Sequence, residues 1–99
     1  MRIVLSARVE ADIANQLQHS IDHFGTAVAE RTFARLDTFL FKFLADYPLA
    51  GRPIEGIYEA WVARTPFVVF YRVEPDKDIV TVLALFHHAQ DRAGFDPND

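Results

Sequence analysis

The sequence predicts a single α+β domain in which one strand and an α-helical hairpin precede a three-stranded antiparallel β-meander. Three observations support this prediction. Apolar residues recur at helical spacing through the first half of the chain, β-branched and aromatic runs replace them after Gly56, and 99 residues are too few for two separate cores. Helices and strands that occupy separate parts of a chain are typical of the α+β class.

The first half opens with a short β-rich stretch at residues 3–5, and the Ser6 that follows is a favourable N-cap. Apolar residues then recur every three or four positions with polar residues between them, which predicts an amphipathic helix that ends at Gly25. Its apolar set is Val9, Ile13, Leu17, Ile21 and Phe24.

A second helix is predicted from about Ala27 to Asp46, where the pair Tyr47-Pro48 stops it. Glu30 lies in its first turn, where a negative charge suits the helix dipole. Its apolar residues are Phe33, Leu36, Phe39, Leu40, Phe43 and Leu44. Because about two residues separate the helices, we expect an antiparallel hairpin.

The second half begins with Pro48 to Gly56, whose two prolines and two glycines predict a loop. Three strands are predicted after it, over Ile57–Arg64, Phe67–Val73 and Ile79–Phe86, with turn-like residues at 65–66 and 74–78. The tail from His87 to Asp99 is predicted to be irregular.

The predicted meander is apolar on both faces. In the second predicted strand, strict alternation places Val68 and Phe70 on one face and Phe67, Val69, Tyr71 and Val73 on the other. In the third strand it places Leu83 and Leu85 on one face and Val82, Ala84 and Phe86 on the other. Antiparallel sheets usually keep one polar face, and two helices cover only one side. We therefore expect the second face to be closed by the chain's own tail, by a second copy or by another protein.

Composition narrows the classes of function. The chain has no cysteine, no signal-peptide pattern and no run of roughly 20 apolar residues, so we expect a cytoplasmic protein that does not span a membrane. Its net charge is −4 and its only lysines are Lys42 and Lys77, which argues against broad binding of nucleic acid. A protein target fits this surface better.

Four segments carry a resemblance to a known family. They are Leu5-Ser6 with Ala11-Asp12-Ile13, the stretch Tyr47-Pro48-Leu49-Ala50-Gly51-Arg52, the strand from Phe67 to Val73, and the strand from Val80 to His87 followed by His88-Ala89-Gln90-Asp91. In this order and spacing they resemble the RelE/ParE superfamily of toxins from bacterial type II toxin–antitoxin systems. The resemblance covers residues 1–99 as one toxin domain.

The resemblance implies a partner and two possible activities. Such toxins are neutralised by a cognate antitoxin encoded beside them, which we expect to be of the ribbon-helix-helix type, and they serve in plasmid stabilisation and growth inhibition. RelE-like members cut mRNA on the ribosome, whereas ParE-like members poison DNA gyrase. No cofactor is implied.

The residues favour the gyrase-directed activity. RNA cleavage needs a base, an acid and cations, and the candidates for these roles are Arg52, Glu55, Arg64, Arg72, His87 and His88. Arg64 is out of register with the family's arginines, which would fall near Trp61 and Val62, and Gln90 stands where the family has an arginine. A ribosome-dependent endoribonuclease and a degenerate, non-toxic binding scaffold remain open, so whether the chain is an enzyme is undecided.

No catalytic residue is assigned, but residues expected to contact the target or partner are Arg52, Arg64, Arg72, His87, His88, Asp91 and Arg92. Arg52 equally fits a carboxylate clamp within the fold, and Arg72 either pairs with Glu59 across the hairpin or contacts another molecule. His87 equally fits a cap on the last strand, and strand alternation predicts that His88 points to the opposite face.

Two features stay ambiguous from sequence. His19 and His23 lie one helical turn apart, the spacing of a zinc pair, but no third ligand follows at a matching distance, so no metal site is predicted. Trp61 is either part of the core or an exposed anchor.

Overall fold

The computed structural model describes residues 1–88 and Phe95, and it confirms the predicted α+β class. The elements in chain order are β1 (Arg2–Leu5), α1 (Ala7–Phe24), α2 (Thr26–Thr38), a π-helical segment (Phe39–Phe43), α3 (Leu44–Asp46), β2 (Arg52–Ile54), β3 (Ile57–Trp61), β4 (Phe67–Glu74), a 3-10 turn (Pro75–Lys77) and β5 (Ile79–His87). Most of the predicted irregular tail lies outside the described residues.

The strands form one five-stranded sheet in the order β1-β5-β4-β3-β2. Strand β1 runs parallel to β5, with Leu5 opposite Val82, and every other pair is antiparallel. The first and last strands of the chain are therefore neighbours. Helices α1 and α2 follow β1 and pack on one face of the sheet.

Helix α1 begins and ends where the sequence predicts. The Ser6 hydroxyl accepts a hydrogen bond from the Val9 backbone N–H at 3.1 Å, as an N-cap does. Gly25 ends the helix with a φ of +85°, a conformation that glycine adopts without steric strain, and it is the only residue between α1 and α2.

The second predicted helix contains a π-helical segment that periodicity does not reveal. The Leu44 backbone N–H bonds to the carbonyl of Phe39, five residues earlier. Leu36, Leu40 and Leu44 are all buried against the sheet, while Phe43 is exposed on the same stretch. The predicted span of the helix is otherwise close to the observed Thr26–Asp46.

The loop predicted from Pro48 to Gly56 is wrong in part, because Arg52–Ile54 forms the edge strand β2. Pro53 is compatible with this strand because an edge strand bonds on one side only. Glu55 and Gly56, both with positive φ, make the tight turn into β3. Strand β3 then ends at Trp61 rather than Arg64, which lies in the next turn with a φ of +64°.

Strict alternation along β5 is also wrong, because the β4–β5 pairing contains an irregularity. Phe70 pairs with Ala84 and Tyr71 pairs with Val82, which leaves Leu83 as an extra residue. Val82 therefore lies in the helix-side core, as does Leu85, while Leu83 packs on the opposite face.

The second face of the sheet is apolar, as predicted, and its buried cluster is Ile57, Val68, Phe70, Ala84 and Phe86. The ring of Phe95 lies on it, with centroid distances of 5.1 Å to Phe70 and 5.5 Å to Phe86. The Arg8 guanidinium stacks over the Phe86 and Phe95 rings at 5.2 and 5.0 Å. Phe95, a residue of the chain's own tail, thus covers part of this face, which is one of the three predicted ways of closing it.

Within the described residues, no helix is both long enough and apolar enough to cross a membrane.

Candidate functional site

Arg52 is held by a buried carboxylate at the edge of the sheet. Its guanidinium lies 3.2 Å from Glu59 Oε1, and the exposed fraction of the side chain is 72% for Arg52 but 9% for Glu59. The register causes this contact, since β2 places Arg52 directly opposite Glu59. The predicted carboxylate clamp is therefore present, and it orients a cation whose outer side remains in solvent.

The sequence predicts that Arg72 either pairs with Glu59 across the hairpin or contacts another molecule. In the sheet Glu59 faces Phe70, and Arg72 lies two residues further along β4, opposite Thr81. Edge strand β2, which the sequence does not predict, places Arg52 as a partner of Glu59.

Gly51 sits between the clamp and the core. Its backbone N–H donates to the Tyr71 hydroxyl at 2.9 Å, and Tyr71 is fully buried and stacked on Tyr58. Burial raises the pKa of the Tyr71 hydroxyl; the bond from Gly51 lowers it and Tyr58 raises it. A Cβ at Gly51 would lie 2.7 Å from that hydroxyl and 2.8 Å from the Glu59 carbonyl oxygen, so glycine is required here for space.

Arg64, Trp61 and His88 lie together at one end of the sheet. The Arg64 carbonyl accepts a hydrogen bond from Arg35 Nη1 at 3.1 Å, and the His88 backbone N–H donates to the Pro66 carbonyl at 2.8 Å. The rings of Trp61 and His88 are 6.3 Å apart, and Trp61 is 57% exposed. Trp61 is therefore not a core residue.

The predicted opposite orientation of His87 and His88 is wrong. Their rings stack with centroids 4.6 Å apart. Strand β5 ends at His87, and His88 lies in a turn, where side chains no longer alternate between the two faces of the sheet. Burial lowers the pKa of His87, and the nearby His88 and His19 lower it further.

His19 and His23 stack at 4.0 Å, and His23 Nδ1 lies 2.9 Å from the His19 carbonyl oxygen. His19 and His87 both line a second pocket of about 270 Å³ between the hairpin and the end of the sheet. Throughout residues 1–88, no three His, Cys, Asp or Glu side chains are placed to hold a metal ion. The remaining predicted contact residues, Asp91 and Arg92, lie outside the described residues.

A groove of about 770 Å³ lies between the second helix and the edge of β3 and is here called the α2–β3 groove. Phe39 and Phe43 line it from the helix, and Ala60, Trp61 and Val62 line it from the sheet. Arg35 and Arg52 supply its cations, and Glu59 is its only acidic lining residue among those described. The groove exists because β2 pairs with β3 only as far as Glu59.

Sequence reasoning missed Arg35, Phe39 and Phe43 as candidate site residues. A signal for the aromatic pair was present, because residues 39–44 read Phe-Leu-Phe-Lys-Phe-Leu and carry more large apolar side chains than one helix face can bury. Nothing local marks Arg35, whose place beside the groove depends on how α2 crosses the sheet.

A family model described as the ParE toxin of the type II toxin-antitoxin system, parDE, matches residues 3–92. A curated relative, named putative toxin Y4kP, of Sinorhizobium fredii, is 39% identical over 57 residues. That match covers 56% of this chain and spans 58% of the relative's length.

Two solved structures share the fold. One is the toxin–antitoxin complex RelBE2 of Mycobacterium tuberculosis, with a TM-score of 0.68, 20% identity and coverage of 90% of this chain and 92% of that one. The other is a chromosomal ParDE system of Pseudomonas aeruginosa, with a TM-score of 0.68, 18% identity and coverage of 88% and 95%. The family match spans nearly the whole described domain and agrees with this fold, and the chain therefore belongs to the ParE toxin family of type II toxin–antitoxin systems.

Proposed function

We propose that this toxin arrests growth by inhibiting DNA gyrase and that a cognate antitoxin of the ribbon-helix-helix type neutralises it. Such a pair stabilises the plasmid that carries it. Gyrase and the antitoxin are cytoplasmic proteins, so we place the toxin in the cytoplasm. The family match to a parDE toxin supports this assignment.

The observation that favours gyrase over RNA cleavage is the separation of the candidate arginines Arg52, Arg64 and Arg72. Arg64 lies in the turn before Phe67, whereas Arg72 lies five residues beyond Phe67 on β4, a distance of about 17 Å along the strand. Arg52 is bound to Glu59, which lies opposite Phe70 and hence between Arg64 and Arg72 along the strand direction. General acid–base cleavage needs its base, acid and cations within hydrogen-bond reach of one phosphate, and this spread is better suited to contact with a broad protein surface.

The assignment is tested by two assays of the purified toxin. We expect inhibition of gyrase-catalysed supercoiling, relieved when the purified product of the reading frame adjacent to the toxin gene is added. In a cell-free translation assay we expect no codon-specific mRNA cleavage. Cleavage that disappears in Arg64→Ala would establish the ribonuclease instead, and inactivity in both assays together with tight binding of the adjacent product would favour the binding scaffold.

We further propose that the target contacts Arg52, Arg72 and the segment 87–92. Cations at strand ends and loops can bond a target, whereas the strand interiors are occupied by core packing. Arg72→Ala should therefore reduce toxicity in cells, while Arg31→Ala on the exposed side of α2 should not. Thermal melting of both variants serves as the folding control, and equal toxicity of the two would contradict this assignment.

A further inference from the structure

The helical hairpin does not fill the space above the end of the sheet and leaves a pocket of about 270 Å³, here called the hairpin pocket. Both helices and the neighbouring ends of β4 and β5 line it. The lining residues are Gln16, His19, Ser20 and Phe24 from α1, Val28 and Thr32 from α2, and Pro66, Phe67 and His87 from the sheet end. Apart from His87, none of them has a role in the proposed function.

Ser20 is the lining residue that packing does not explain. It is only 8% exposed, and its hydroxyl has no hydrogen-bond partner among the described residues. Every fully enclosed side-chain nitrogen or oxygen in that part of the chain does have a partner, so the Ser20 oxygen keeps some accessible surface, and it faces the pocket. A serine inside a helix is less favourable than alanine, and a nearly buried hydroxyl without a partner also costs stability. A ligand that bonds to this hydroxyl would offset that cost.

The polar lining of the pocket is uncharged. The Ser20 and Thr32 hydroxyls and the Gln16 amide can each donate and accept hydrogen bonds. His87 is neutral at neutral pH, because burial and the nearby His88 and His19 lower its pKa. Among the described lining residues there is no Asp, Glu, Lys or Arg. A charged ligand would lose hydration here without gaining an ionic partner, so the lining favours an uncharged ligand with both donors and acceptors.

The shape of the pocket favours a flat ligand. The rings of Phe24, Phe67, His19 and His87 all line it, and those of Phe67 and His87 are nearly perpendicular at 87°. Planar rings bind planar ligands by stacking and edge-to-face contact. A volume of about 270 Å³ is just below the lower limit of roughly 300 Å³ for drug-sized ligands, which suits a molecule of one or two rings.

We propose that the hairpin pocket binds a small uncharged heteroaromatic base of the purine or pyrimidine type, packed against its rings and hydrogen-bonded to Ser20, Thr32 and Gln16. Such bases are planar, and their ring nitrogens, carbonyls and amino groups supply both donors and acceptors. The inference does not depend on the gyrase target or on the antitoxin, so the assays of the proposed function and the test below fail independently.

The test is an NMR titration of the full-length toxin at about pH 7.5 with adenine, hypoxanthine, cytosine and uracil. We expect at least one base to shift the backbone signals of Gln16, Ser20 and Thr32, with a Kd of roughly 0.1–1 mM, as suits a ligand of about ten non-hydrogen atoms. Indole, a flat bicycle with one donor and no ring-nitrogen acceptor, should bind at least about fivefold more weakly. Benzoate, a flat anion, should not bind at this pH.

Two substitutions separate binding from packing. Thr32→Ala is matched with Thr38→Ala, because both threonines lie on α2 and only Thr32 lines the hairpin pocket. We expect Thr32→Ala to weaken binding of the base about fivefold and Thr38→Ala to leave it unchanged. Ser20→Ala should also weaken binding about fivefold while raising the melting temperature, a combination that a purely structural serine would not give.

Three results would overturn the inference. The first is that no base shifts the signals of the pocket residues, and the second is that Ser20→Ala and Thr32→Ala both bind the base with wild-type affinity. The third is benzoate binding that strengthens as the pH is lowered from about 7 to about 5.5, because the pocket would then select an anion. The titratable groups at the pocket are His19 and His87, with His23 and His88 stacked on them, and no charged side chain of α2 or β4 lines it in the described part of the chain.

Discussion

At the scale of single residues, Gly51 links the sheet edge to the core. We predict that Gly51→Ala destabilises the fold by about 1–3 kcal/mol, because the new methyl group would crowd the Tyr71 hydroxyl and the Glu59 carbonyl. Tyr71→Phe should lose about 1 kcal/mol by leaving the Gly51 N–H without this acceptor. Chemical denaturation measures both, and the double variant should lose less than the sum, since phenylalanine removes one of the two crowding atoms.

His87 gives the fold a dependence on pH. Its pKa in the folded protein is below its ordinary value of about 6.5, because burial and the neighbouring His88 and His19 disfavour the charged form. An unfolded chain binds this proton more readily, so the stabilising contribution is present above about pH 6.5 and is lost as the pH falls through the folded pKa. The melting temperature should therefore fall as the pH is lowered from about 7 to about 5, which is roughly the range over which such a histidine titrates. His87→Gln should reduce that fall, and an unchanged pH profile would contradict the assignment.

At the scale of elements, the irregularity in β5 is stabilised by the start of α1. The Leu83 carbonyl accepts a hydrogen bond from the Ser6 hydroxyl at 3.0 Å, and the Leu85 N–H donates to Asp12 Oδ2 at 3.1 Å. Near the extra residue, these two backbone groups of β5 are therefore bonded to side chains at the start of α1. This accounts physically for two of the residues on which the family resemblance rests.

Asp12→Ala should destabilise the protein by about 1–3 kcal/mol, because the Leu85 N–H would lose its acceptor in a partly buried position. Glu10→Ala, at an exposed position in the same helix, is the control and should change stability by less than about 0.5 kcal/mol. Thermal or urea unfolding measures the difference, and equal stability of the two variants would show that the bond contributes nothing.

At the scale of the whole molecule, the two sheet faces are covered differently. The helices cover one face, while Phe95 lies on Phe70 and Phe86 of the other. We predict that Phe95→Ala lowers stability by about 1–3 kcal/mol and increases binding of a hydrophobic dye, since apolar surface becomes exposed. Phe24→Ala, at a ring that is 65% exposed, should do neither to the same extent. Indistinguishable melting curves for the two variants would mean that the Phe95 ring does not stabilise this face.

The sequence by itself determined the α+β class, both ends of the first helix and the cores of three strands. These features depend on neighbouring residues: Ser6 and Gly25 act within one helical turn, and apolar periodicity is read over about ten positions. The family resemblance likewise came from short segments in order, and the match over residues 3–92 confirms it.

Only the tertiary structure decided where the candidate site lies. Strand β2, the extra residue Leu83, the pairing of Arg52 with Glu59 and the contact of Phe95 with the second face all depend on partners outside the local segment. Local patterns cannot specify such contacts, because a backbone group or side chain can be satisfied by many alternative partners until the chain is folded. The α2–β3 groove is the clearest case: its arginines and aromatic rings are ordinary in sequence and become a site only when α2 crosses beside a strand whose neighbour stops short.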